Sequence, residues 1–191
     1  FTYCGLEHLW TVNNAGKRAD KLKTFSLKEM LERGITRLSG DYRFRIPLCE
    51  PVEYPEVEVK IPPYVLGLMI GDGYLSGMTP ALSFNAEDPK IIERCIQLLP
   101  EIKIKLKNTS EKGLQTTLIP KDKESANSTN WIKTYIKELA LNVPSENKFI
   151  PKEYLYNSIE NRKELLRGLM DSDGSCVKNR TSFSSTSELL I

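Results

Sequence analysis

Two segments of this 191-residue chain repeat each other. VLGLMIGDG at residues 65–73 and LRGLMDSDG at residues 166–174 align without gaps at an offset of 101 residues. Gly, Leu, Met, Asp and Gly fall at matching places, and each copy reads as a helix that stops at Asp-Gly and leads into a strand-like segment. No other feature constrains the fold as tightly. Gly67 and Gly71 are four residues apart and share a helix face, as do Gly168 and Ser172. Small residues at that spacing let two helix backbones approach closely, an effect of sterics. If the copies pack on each other, Asp72 and Asp173 converge at one end of the pair.

That convergence is costly. A carboxylate in the last turn faces the negative end of the helix dipole, which is unfavourable by about 0.3–1 kcal/mol. Two such carboxylates brought together repel, and a pKa rises unless a cation sits between them. A local rule broken twice in the same way points to function. Oxygen ligands near phosphate favour a hard cation, with Mg²⁺ the natural choice. Two carboxylates at a shared metal site suit in-line attack on a phosphodiester. A single Gly-Asp-Gly at a helix end also reads as an ordinary C-cap turn; the duplication is what favours a site. The stretch from Asp171 does not make an EF-hand, because Gly174 falls at position 4 of the loop instead of 6. Neither GxxxxGKS/T nor GxGxxG is present.

Around the repeat the chain reads as α+β. HLWTV and YRFRIPL are expected strands with a short helix at SLKEMLERG between them, where Ser26 and Glu29 resemble a capping box and Gly34 fits the helix end. PVEYPEVEVKIPP, rich in proline and charge, reads as a boundary. A helix, a hairpin, a helix, two strands, a helix and the second repeat follow, an order that is not doubly wound. The divisions are a β-rich region at 1–55, a linker at 56–63, one unit at 64–164 and a second starting at 165–191.

A net charge of +2 does not by itself announce nucleic acid. Local patterning does more. Residues 102–107 alternate Ile-Lys-Ile-Lys-Leu-Lys, placing Lys103, Lys105 and Lys107 on one strand face and three aliphatics on the other. Such a ribbon can present cations to phosphates and enter a major groove, with Lys121, Lys123, Lys178 and Arg180 extending the surface. The same alternation also fits a plain solvated strand face. Cys4, Cys49, Cys95 and Cys176 lie far apart and the chain has one histidine, so neither a disulfide framework nor a zinc site is expected, and the thiols suit a reducing compartment. No run of 18 apolar residues or secretory leader is seen, so no membrane partner is expected.

The repeated segments resemble the paired motifs of the LAGLIDADG, or dodecapeptide, homing endonucleases. The resemblance implies repeats of αββαββα order, two motif helices packed at a pseudo-twofold, and a β-saddle for double-stranded DNA in a monomer. It also implies that the last motif aspartates, Asp72 and Asp173 at the eighth position, bind a catalytic divalent metal, Mg²⁺, with Gly71 and Ser172 beside them in the metal set. Asp171 stands at the sixth position, where the first copy has Ile70; the metal ligand is not there. Lys148-Phe149-Ile150-Pro151 resembles the K-x-I-P block of intein-borne members, which implies a catalytic role for Lys148 through charge near the scissile phosphate; a solvated loop lysine is the plain alternative.

Glu7 to Val12 and Arg45 to Leu48 resemble the tail of a Hint-type intein splicing domain. That implies a splicing role for His8, by hydrogen bonding to the scissile amide or as general acid, against an ordinary packing role. The implied whole is an intein whose nuclease makes a site-specific double-strand break, with host exteins as partners and the cytoplasm, or wherever the host resides, as location. A non-cleaving LAGLIDADG binder (maturase or transcription regulator) and a decayed nuclease in an intein that only splices are the alternatives. The chain reads as a fragment: residue 1 is Phe, no terminal His-Asn pair is present, and the second repeat stops at Ile191. It is not expected to splice as it stands.

Overall fold

The computed structural model describes residues 3–14, 22–77, 79–85, 89–108, 113–121, 130–178 and 180–191. It is mixed α+β and divides into two compact units, Phe1–Pro51 and Val52–Ile191. In the first unit, β1 (Leu9–Asn14) lies between β2 (Leu22–Ser26) and β3 (Phe44–Arg45) in an antiparallel sheet. The strand at β2 is absent from the sequence reading, because Leu-Lys-Thr-Phe-Ser lacks a clean alternation. The expected strand through YRFRIPL shrinks to two residues. Helix α1 (Leu27–Glu32) starts on a capping box in which Glu29 N donates to Ser26 Oγ (3.2 Å) and Ser26 N to Glu29 Oε2 (2.7 Å). Among the described residues of this unit, Val12 and Phe25 are the buried apolar side chains.

The second unit is built on α2 (Pro63–Asp72) and α6 (Ile159–Asp173). Proline at the first helical position starts α2, where its missing N–H costs nothing. Every residue from Tyr64 to Ile70 is buried, so α2 is a helix enclosed on all sides and not an amphipathic surface helix. Its end runs straight into β4 (Gly73–Tyr74), which pairs with β5 (Ala81–Asn85). After α3 (Pro89–Leu98) come β6 (Ile102–Asn108) and β7 (Gly113–Pro120), giving an antiparallel sheet of order β4-β5-β7-β6. Leu82, Leu118 and Ile102 are buried in the core that α2 shares, whereas Lys103 and Lys105 on β6 are exposed. Helix α4 (Trp131–Glu138), a 3-10 turn at Ser145–Asn147 and the short α5 (Lys152–Leu155) lead to α6. The hairpin β8 (Gly174–Val177) and β9 (Arg180–Phe183) follows, then a 3-10 turn at Glu188–Leu190.

The boundary segment behaves differently from a free linker. The fully buried Asn157 accepts from Val57 N (3.0 Å) and donates back to Val57 O (2.8 Å), mimicking a strand partner. Arg162 donates to Val52 O, Tyr154 Oη to Ile61 O (2.8 Å), and Tyr54 packs edge-on against Tyr156. Residues 52–61 thus belong to the second unit as a strap across α5 and α6. The sequence signal is the alternation of Val57, Val59 and Ile61 with Glu56, Glu58 and Lys60, which the prolines and charges overshadow. Among the described residues no helix is long and apolar enough to cross a membrane.

Candidate catalytic and metal site at the helix pair

Helices α2 and α6 meet backbone to backbone. A Cβ built on Gly67 would lie 2.3 Å from Leu165 O and 3.0 Å from Gly168 Cα. One on Gly168 would lie 2.0 Å from Tyr64 O and 3.0 Å from Gly67 Cα. These contacts are reciprocal: Tyr64 and Leu165, like Gly67 and Gly168, stand 101 residues apart, so the two copies touch through the same patch, the self-complementary pattern of a two-fold interface. One turn on, the space beside Gly71 is filled by Ser172, whose Oγ lies 1.9 Å from a Cβ built there; Asp173 Oδ2 is 3.3 Å from the same point. The Ser172 hydroxyl is turned back onto its own helix, donating to Gly168 O (3.1 Å) and Leu169 O (2.9 Å). The hydroxyl oxygen keeps its lone pairs, so Ser172 can still offer an oxygen to a cation.

Lys148 completes the arrangement. It is 2 % exposed, and Nζ donates to Gly73 O (2.7 Å), Gly71 O (2.9 Å) and Met69 O (3.4 Å). The ammonium therefore caps the C-terminal end of α2, satisfying carbonyls and answering the negative end of the helix dipole. It is no solvated loop lysine. The 3-10 turn before it sets its backbone, with Lys148 N donating to Ser145 O (3.3 Å), and the buried Ser187 Oγ donates to Lys148 O (2.6 Å). An ammonium has three N–H donors and all three are engaged, so Lys148 offers a ligand its charge more than a hydrogen bond.

The electrostatics follow from that geometry. Solvent reaches Asp72, yet packing around the helix end desolvates it, and this together with the Asp173 charge raises its pKa against the opposing pull of Lys148. Burial lowers the pKa of Lys148, with the charges of Asp173 and Asp72 opposing. A lowered lysine pKa means that the burial penalty is complete below the folded value and fades as pH rises toward 10.5. Removing the ammonium nevertheless leaves two carboxylates without their cation and three carbonyls without a donor. Lys148→Met is expected to lose about 3 kcal/mol in urea unfolding at neutral pH and to raise the Asp72 pKa further in a carboxyl NMR titration.

No family model matches the chain. It is similar to a replicative DNA helicase DnaB of Mycobacterium intracellulare, 28% identical over 123 residues. The match covers 64% of this chain and 16% of that protein, so the chain spans a small part of its relative's length.

Among the described residues neither Asp72 nor Asp173 accepts a hydrogen bond through its carboxylate, and no group of three or more His, Cys, Asp or Glu side chains forms a metal cage. Two converging carboxylates without donors are a fit for a hard cation whose remaining ligands are main-chain carbonyl, water or phosphate oxygens. Beside them lies a cleft of about 420 Å³ that includes Gly71, Lys148 and Asp173 in its lining. Asp72 is not part of that lining.

The remaining residues are more dispersed. Asp171 is tied to α2, accepting from Tyr64 Oη (2.8 Å), while Arg94 lies over the Tyr64 ring (3.8 Å) and pairs with Glu164 (2.5 Å). Burial and Asp171 push the Tyr64 hydroxyl pKa up. This Tyr64-Asp171-Arg94 tie is missing from the sequence reading, and its only signal there is that Asp171 breaks the match with Ile70. Lys103, Lys105 and Lys121 are exposed at one sheet, and Lys178 and Arg180 at the β8–β9 turn. Lys123 and the Lys107 side chain lie outside the described residues. His8 is exposed in the first unit, its ring edge-on to Trp10 with centroids 5.0 Å apart.

Proposed function

We propose that this chain carries the nuclease of an intein, a LAGLIDADG homing endonuclease that breaks both strands of duplex DNA with the help of Mg²⁺. The observation that carries the reading is the reciprocal glycine contact of α2 and α6, which brings the ends bearing Asp72 and Asp173 together beside the buried Lys148. The order α2-β4-β5-α3-β6-β7-α4 supports the αββαββα repeat, with a second repeat opening at α6. Asp72 and Asp173 would hold the metal, with the main-chain oxygens of Gly71 and Ser172 beside them; Gly71 O already accepts from Lys148. Magnesium, when bound, supplies Lewis-acid stabilisation of the attacking and leaving oxygens.

The chain itself supplies the rest. Its two-fold presents one carboxylate to each strand. The Lys148 charge lowers the cost of bringing a phosphate against two carboxylates. The exposed lysines of β6 meet the DNA backbone. In the parent chain the first unit contributes His8 to splicing, and the host's exteins flank the whole; the location is the cytoplasm or that of the host. An element inserted into a host protein shares only a segment with a relative, and the confined match to a replicative DNA helicase is of that kind. The absence of GxxxxGKS/T weighs against a helicase motor in these residues. Both motif aspartates and Lys148 are present, which weighs against a non-cleaving binder.

The test is a duplex made by joining the host coding sequence on either side of this element. The reading expects a double-strand break that needs Mg²⁺ and stops in EDTA. An uncut duplex would overturn it.

A further inference from the structure

The cleft beside Asp173 has a wall of hydroxyls. Ser145 lines it from the turn before Lys148, and Ser184, Ser185 and Thr186 line it from the segment after β9. Ser185 Oγ is engaged, accepting from Ser187 N (3.1 Å). Among the described residues the hydroxyls of Ser145, Ser184 and Thr186 have no protein partner, and Ser184 and Thr186 are exposed to the cleft's solvent. The two sides of the wall are fixed to each other. Ser187, fully buried, donates to the Lys148 carbonyl, so the 184–186 segment and the lysine are held as one piece.

The donor count then decides what this wall is for. Lys148 puts a positive charge under the cleft, but its three N–H groups go to Met69, Gly71 and Gly73. An anion drawn there by charge must find hydrogen-bond donors elsewhere, and serine and threonine hydroxyls are the ones present. We propose that Ser145, Ser184 and Thr186 form a seat for a single phosphodiester of the DNA backbone, placed against Asp173 and not Asp72. This rests on the nuclease reading for the identity of the polymer, and it makes the two halves of the site unequal. Ser184 and Thr186 act as positioning residues: they hold the phosphate, and the reacting groups do the rest.

The experiment titrates the full 191-residue chain with dimethyl phosphate, a phosphodiester monoanion, in magnesium buffer and follows ¹H–¹⁵N NMR spectra. Saturable shifts are expected at the amides of Ser145, Ser184, Ser185 and Thr186. The double variant Ser184→Ala/Thr186→Val is expected to bind about fivefold more weakly with the rest of its spectrum in place, since both side chains are exposed. Shifts confined to the Lys103–Lys105 face, no shifts at all, or equal affinity in the double variant would each overturn the seat. DNA cutting is scored in the parent chain, with and without the same two substitutions. Phosphate bound in the cleft by a protein that cuts nothing keeps the seat and removes the nuclease reading; cutting with unchanged phosphate affinity in the variant does the reverse.

Discussion

Gly168→Ala is expected to destabilise the protein by about 3 kcal/mol or more, as overpacking does where nothing can move aside. The added methyl would sit 2.0 Å from Tyr64 O, a main-chain atom of a helix enclosed on every side, so no rotamer change relieves it. Gly67→Ala should cost a similar amount through Leu165 O at 2.3 Å. The two penalties arise at one contact, so the double variant should lose less than their sum: once the helices are forced apart, the second methyl meets less resistance. Gly5→Ala, with no atom within 4 Å of the new methyl, is the control and should leave stability unchanged within about 0.5 kcal/mol. Urea unfolding midpoints of the four variants check all of this together.

Asp72→Asn should do two opposite things. Cutting should fall by on the order of 10³-fold or more, because the carboxylate that holds the cation is gone. Stability without metal should rise. Burial and Asp173 hold the Asp72 pKa above its ordinary 3.8, so the folded state binds the proton more tightly than the unfolded one. Stability therefore falls as pH rises from the unfolded value through the folded one, and the full penalty is present at neutral pH. The asparagine variant lacks that penalty. Its melting temperature in EDTA should exceed that of the parent protein at pH 7, and the gap should close in acid. Magnesium should raise the melting temperature of the parent protein and leave the variant unmoved. Asp173→Asn should match it in lost cutting. A variant that loses stability and activity together would point to a structural carboxylate.

Different parts of this molecule were legible to different degrees. Glycine spacing reports a tertiary contact directly, since only glycine admits a main-chain oxygen at the Gly67 and Gly168 positions; that is why a nine-residue repeat could say which helix packs on which. Strands with clean alternation, such as Ile102 to Lys107, declare their two faces. Lys148 is the opposite case. Its burial depends on three carbonyls 75 to 79 residues away, and no local pattern separates such a lysine from a solvated one. The strap at 52–61 was hidden because prolines and glutamates read as linker, while its anchor is the side chain of Asn157, 100 residues on. Ser187 was silent for the same reason: a buried hydroxyl holding a distant carbonyl looks in sequence like any serine in a polar run.

In the proposed site, Asp72 and Asp173 are held together to share a cation and not merely to end two helices. Crystals soaked in manganese, with anomalous diffraction recorded at the metal edge, examine it without any need for substrate. Anomalous density is expected within coordination distance of both carboxylates, with the Lys148 ammonium still seated on Gly71 and Gly73. Density elsewhere, or none between the two carboxylates in a well-ordered α2–α6 pair, would contradict a shared cation.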